Sequence, residues 1–141
     1  MNLKILIVGV EPLSIVNFRG RLIKDLVSEG YEVVALANGG SLDQISKITA
    51  LGCRYVSYSS ARTGINPIRD LWTLAQLLKH ILVEKPTHVL AYTIKPVIWG
   101  GIACRFFPRV RFIGMITGLG YAFYERRGLS RFIKICATFL Y

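Results

Sequence analysis

Acids and cysteines are scarce in this 141-residue chain: 8 Asp and Glu stand against 18 Lys and Arg, and there are 3 cysteines. The cysteines, Cys53, Cys104 and Cys136, lie far apart with no C-x-x-C pair. An odd count without ligand spacing argues against both a disulfide frame and a zinc site, so the three read as small buried hydrophobes. His80 and His88 are not at ligand spacing either, and no metal or other cofactor is expected. No uninterrupted apolar run reaches the roughly 18 residues of a spanning helix. The start, MNLKILIVGVEP, has a single Lys and no small-residue cleavage site. It does not read as a signal peptide, and the expectation is a cytoplasmic chain.

Catalytic signatures are also missing. The turn Gly9-Val10-Glu11-Pro12-Leu13-Ser14 has one glycine and a proline where dinucleotide binding needs G-x-G-x-x-G. There is no Walker pattern and no G-x-S-x-G elbow. Glu11 is the one acid near the expected rim of the sheet, and a single carboxylate cannot supply an acid–base pair. A complete catalytic set is absent.

What is present is size, apolarity and positive charge. The length fits one domain with a real core. Hydrophobic residues make up 52%, mean hydropathy is +0.44 and net charge is +10. The charge is lopsided: residues 1–70 come to +2 and residues 71–141 to +8. A basic, apolar half suits an anionic membrane surface or a phosphate-bearing ligand. Nucleic acid is not expected, because no Lys/Arg run, RNP-like motif or finger spacing accompanies the charge.

Strand and helix patterns alternate along the chain. Apolar runs predict strands at 3–8, 31–37, 53–58, 88–91 and 110–116. Helical spacing predicts helices after Asn17, read as a cap, and at 41–51, 68–83, 97–107 and 129–140. This order predicts an α/β fold, a Rossmann-like doubly wound parallel sheet covered on both faces. In such a sheet the first and fourth strands meet at the switch point, and ligands bind at the carboxyl ends of the strands. The segments 9–20, 92–96 and 117–123 are therefore expected on one rim.

The candidate binding residues follow from that rim. Gly9 offers close backbone approach to a phosphate, or is a plain turn glycine. Arg19, read in the first turn of its helix, opposes the helix dipole, which suggests an anion partner, or is a solvated surface arginine. Lys95, read on a loop stiffened by Pro96, is a point-charge phosphate donor or an exposed structural Lys. Thr93, Thr117 and Arg62 can donate to a sugar hydroxyl or phosphate, or serve as ordinary loop residues. Towards the C-terminus Leu129, Phe132, Ile133, Cys136 and Leu140 recur at helical spacing among Arg126, Arg127, Arg131 and Lys134. Such a basic amphipathic helix can lie in a membrane surface or simply cover the sheet.

Several segments carry a family resemblance: LKILIVG at 3–9, NFRGRLIKDLVSEGYEVVALA at 17–37, LGCRYVSYSSARTGINPIRDL at 51–71, PTHVLAYTIKPVIWGGIACR at 86–105 and FIGMITGLGYAF at 112–123. In this order they resemble the N-terminal, acceptor-binding domain of GT-B, family-four retaining glycosyltransferases. The similarity points to the bacterial enzymes that extend lipid-linked sugars for capsule, O-antigen or glycoprotein oligosaccharides. The resemblance implies an acceptor half that receives a polyprenyl-diphosphate sugar at the inner face of the membrane. It implies a nucleotide-sugar donor bound by a second half, which carries an E-x7-E glutamate pair. By position in the matching motifs, Gly9, Asn17, Arg19, Arg62, Thr93, Lys95, Thr117 and Gly118 would face the substrates.

This sequence departs from the family pattern in stopping at Tyr141, with the donor half and its glutamates missing. One domain, truncated and inactive alone, is the expectation. The alternatives are a non-catalytic, membrane-recruiting subunit that works with a separate donor-domain chain, and a nucleotide-dependent oxidoreductase or epimerase domain, which the lone Gly9 disfavours.

Overall fold

A computed structural model describes residues 3–60 and 66–117. Five strands alternate with four helices: β1 (Lys4–Val8), α1 (Pro12–Ser28), β2 (Glu32–Ala37), α2 (Leu42–Thr49), β3 (Arg54–Ser57), α3 (Pro67–Glu84), β4 (His88–Tyr92), α4 (Ile94–Cys104) and β5 (Arg111–Met115). All pairings are parallel, in the order β3-β2-β1-β4-β5. The expected doubly wound α/β fold is present, with β1 beside β4 at the switch point.

Side chains of the central strands alternate between two cores, as the strand period of two requires. Ile5, Ile7, Val33, Ala35 and Leu90 pack on one face against Ile15 and Ile23 of α1 and Ile48 of α2. Leu6, Val8, Val34, Leu36 and Val89 pack on the other against Leu77 and Ile81 of α3 and Val97 and Ala103 of α4. Burial on both faces explains why these strands read as unbroken apolar runs. Each fully buried Leu, Ile or Val contributes about 1.5–3 kcal/mol relative to exposure. Cys53 and Cys104 are both buried, and burial raises their thiols to about 11 and about 12. Cys136 lies outside the described residues.

Two helices start earlier than the sequence suggests. Pro12 occupies the first position of α1, where its fixed φ fits and its missing N–H costs nothing. Asn17 is therefore an exposed residue within α1 rather than its cap, and Arg19 sits in the second turn. Likewise α4 begins at Ile94, so Lys95 and Pro96 belong to its first turn rather than to a loop. Other ends follow local chemistry. Ser41 and Gln44 form a reciprocal capping box on α2, and the Asn66 side chain accepts from the Ile68 and Arg69 amides to start α3.

The amino-end rim of the sheet is closed by ions. Lys4 of β1 lies 2.9 Å from Glu32 of β2 and 3.4 Å from Glu84, the last residue of α3. Arg54 of β3 also pairs with Glu84, whose side chain is only 7% exposed. Burial pushes the Glu84 carboxyl up, but Arg54 and Lys4 outweigh it and hold the group below its ordinary value. Four elements are thus joined away from the carboxyl ends of the strands.

Candidate functional site

At the carboxyl-end rim the switch point is built around Gly9. Tyr58, after β3, reaches it from the α3 face, and its hydroxyl donates to the Gly9 carbonyl at 2.7 Å. Tyr92, the last residue of β4, lies on the α1 face, and a β-carbon on Gly9 would run into its hydroxyl end. The glycine is thus required by the packing of Tyr92. The Ser14 hydroxyl donates to the Glu11 carbonyl at 2.7 Å and lies 2.9 Å from the Tyr92 oxygen. Ser14 has a single proton, so Tyr92 is the donor in that second contact. Burial raises the Tyr92 phenol above its ordinary value, and the Arg19 charge only partly offsets this. At neutral pH the group is therefore a hydrogen-bond donor and not a base.

Arg19 covers this assembly. Its guanidinium carbon stands 4.7 Å from the Tyr92 ring centroid, a cation–π arrangement. One terminal nitrogen donates to the Phe18 carbonyl at 2.8 Å, while the Nε is buried without a hydrogen-bond partner. A guanidinium has five N–H donors, so capacity for an anion or a hydroxyl remains.

Thr93 links β4 to α4 with φ 70 and ψ 158, a region that β-branched residues rarely adopt. Its Oγ1 is buried and makes no hydrogen bond, and it does not cap the helix. Lys95, two residues on, is held by Asp70 in the first turn of α3, with 2.9 Å between Nζ and Oδ1. The two side chains are 16% and 11% exposed. Lys95 is thus a part-buried ion-pair partner tying α4 to α3 at the rim, and its charge is compensated.

The structure gathers Gly9, Arg19, Thr93 and Lys95 at the ends of β1 and β4. Asn17 is exposed on α1, and Thr117 is exposed just after β5. Arg62, Gly118, Arg126, Arg127, Arg131 and Lys134 lie outside the described residues. Tyr92, Tyr58, Ser14 and Asp70 complete the assembly and were not singled out from sequence. Tyr92 stood in the quoted Tyr-Thr-Ile-Lys-Pro segment, so its place at a strand end was the available signal. Among these residues the chemistry is that of donors and cations, suited to holding a polar or anionic group rather than to moving protons.

No protein-family model matches the chain, and no curated protein is similar to it in sequence. Solved structures are similar in fold. A glycosyltransferase from Rickettsia africae ESF-5 superposes with a TM-score of 0.63 at 15% identity, over 92% of this chain and 35% of that one. MurG from Acinetobacter baumannii gives 0.56 at 14% identity, over 81% and 34%. The glycosyltransferase VinC, solved in complex with DTDP, gives 0.60 at 14% identity, over 96% and 39%. The chain has the Rossmann-like α/β fold found in one half of GT-B glycosyltransferases, and it spans between a third and two fifths of the length of these three.

Proposed function

We propose that these residues form the N-terminal, acceptor-binding half of a GT-B glycosyltransferase of the retaining, family-four type. The acceptor in this reading is a polyprenyl-diphosphate-linked saccharide at the inner face of the membrane, used in surface polysaccharide or glycan assembly. The observation that carries the proposal is the fold, shared with glycosyltransferases over most of this chain. At the rim where such folds bind ligands, Arg19 keeps an unpartnered buried donor. Arg19 and Thr93 meet the acceptor's phosphate or first sugar. The nucleotide-sugar is held by a donor half outside these 141 residues, in the same polypeptide or a separate one. These residues alone do not turn over. In the assembled enzyme a rim cation assists departure of the diphosphate by stabilising developing negative charge.

The test is titration of the chain with a water-soluble, short-isoprenyl diphosphate sugar. Wild type binds, and Arg19→Met binds about tenfold more weakly, the loss of one charge-assisted contact. Binding of a nicotinamide cofactor with none of the sugar diphosphate overturns the reading in favour of an oxidoreductase or epimerase domain.

A further inference from the structure

Helix α3 is apolar on two sides. Its inner side, with Leu77 and Ile81, is buried in the core. Its outer side carries Ile68, Leu71, Trp72, Ala75, Leu82 and Val83, which recur at helical spacing and point away from the sheet. Ala75 is exposed, and the other five are between 61 and 82% exposed. One apolar side is what covering the sheet requires, and the second faces outward.

The charges around this face are one-sided. Lys79 lies within the apolar stripe, with Arg69 and Lys85 near its ends, all exposed. The acids between residues 66 and 117 are Asp70 and Glu84, and each is turned inward into an ion pair. The other helices with exposed large apolar side chains differ: Asp25 and Glu29 stand exposed in and just after α1, and in α2 the exposed Asp43 stands beside Leu42. An apolar stripe that includes a Trp and has only cations as its exposed charges has the make-up of a helix that lies in the interface of an anionic bilayer.

We propose that the outer face of α3 is the membrane-docking surface of this chain, embedding Trp72 and its neighbours among anionic lipid headgroups. The α3 amino terminus lies at the carboxyl-end rim, through the Lys95–Asp70 pair, so this contact sets the rim beside the bilayer. The inference deepens the lipid-linked acceptor reading by naming the surface that meets the lipid.

The chain has 2 tryptophans, Trp72 and Trp99, so Trp99→Phe leaves Trp72 as the sole reporter. The purified variant is mixed with vesicles of phosphatidylglycerol and phosphatidylcholine that contain no sugar lipid. The expected result is a blue shift of Trp72 emission, quenching by brominated phosphatidylglycerol, and little change with phosphatidylcholine alone. Lys79→Ala in this background lowers partitioning roughly fivefold. Co-sedimentation with unchanged Trp72 emission overturns the proposal, because another surface then makes the contact. No co-sedimentation overturns it as well. Emission already blue in dilute buffer, or turning blue with protein concentration alone, means that the chain itself or a second copy covers the face. Failure here leaves binding of the soluble sugar diphosphate untouched, and failure there leaves this result standing.

Discussion

Tyr92 occupies the space that a β-carbon on Gly9 would need. The ring is almost fully buried and its hydroxyl is engaged by Ser14, so it cannot swing aside without loss. Gly9→Ala is expected to destabilise the fold by about 1–3 kcal/mol, the cost of overpacking a filled site. Urea denaturation in a Tyr92→Leu background checks the cause. The penalty should shrink there, and an unchanged penalty assigns it to some other contact.

Lys95 and Asp70 form a part-buried pair, so either partner left alone is poorly solvated. Lys95→Met is expected to cost about 1–3 kcal/mol. The double variant with Asp70→Asn should recover much of that loss. A double-mutant cycle with no coupling energy would contradict the pairing.

Glu84 sets an acid limit on stability. Its folded carboxyl is held below its ordinary value, so the unfolded chain takes up that proton more readily. The stabilisation is present above the ordinary carboxylate range and is lost as pH falls through and below it. Melting temperature measured from pH 7 down to pH 3, roughly spanning that range, should drop less steeply for Glu84→Gln than for wild type. The variant should be about 1–3 kcal/mol less stable at neutral pH. Parallel pH profiles would remove Glu84 from the acid response.

Thr93 holds a backbone conformation suited to glycine. Thr93→Gly relieves strain of about 1 kcal/mol, partly offset by greater freedom of the unfolded chain. Because Oγ1 is lost, the same variant should bind the sugar diphosphate more weakly. Higher stability with undiminished binding would make Thr93 a purely structural feature.

Much of this architecture was readable in the sequence because it depends on local pattern. The runs of β1, β2 and β4 are apolar at every position because both faces are covered, and their order dictates the sheet. The starts of α1 and α4 were less legible. Pro12 and Pro96 resemble loop residues until each is seen within the first turn of its helix, where a missing N–H is harmless. The state of Lys95 was not legible, since Asp70 is distant in sequence and sits where any helix welcomes an acid. In α3 the apolar residues Leu71, Trp72, Leu74, Ala75, Leu78, Ile81 and Leu82 cover a broad face in sequence. The fold divides them: Leu74, Leu78 and Ile81 turn inward, while Leu71, Trp72, Ala75 and Leu82 turn out.

The ion cluster of Lys4, Glu32, Arg54 and Glu84 lies at the amino ends of the strands. It works as a keel: β1, β2, β3 and α3 are tied together at one end, independently of what the opposite loops contain. Exposed positions towards the carboxyl-end rim, such as Asn17 and Thr117, can then change in charge with little effect on whether the chain folds. In a scaffold divided this way, ligand preference can drift quickly while the frame stays the same.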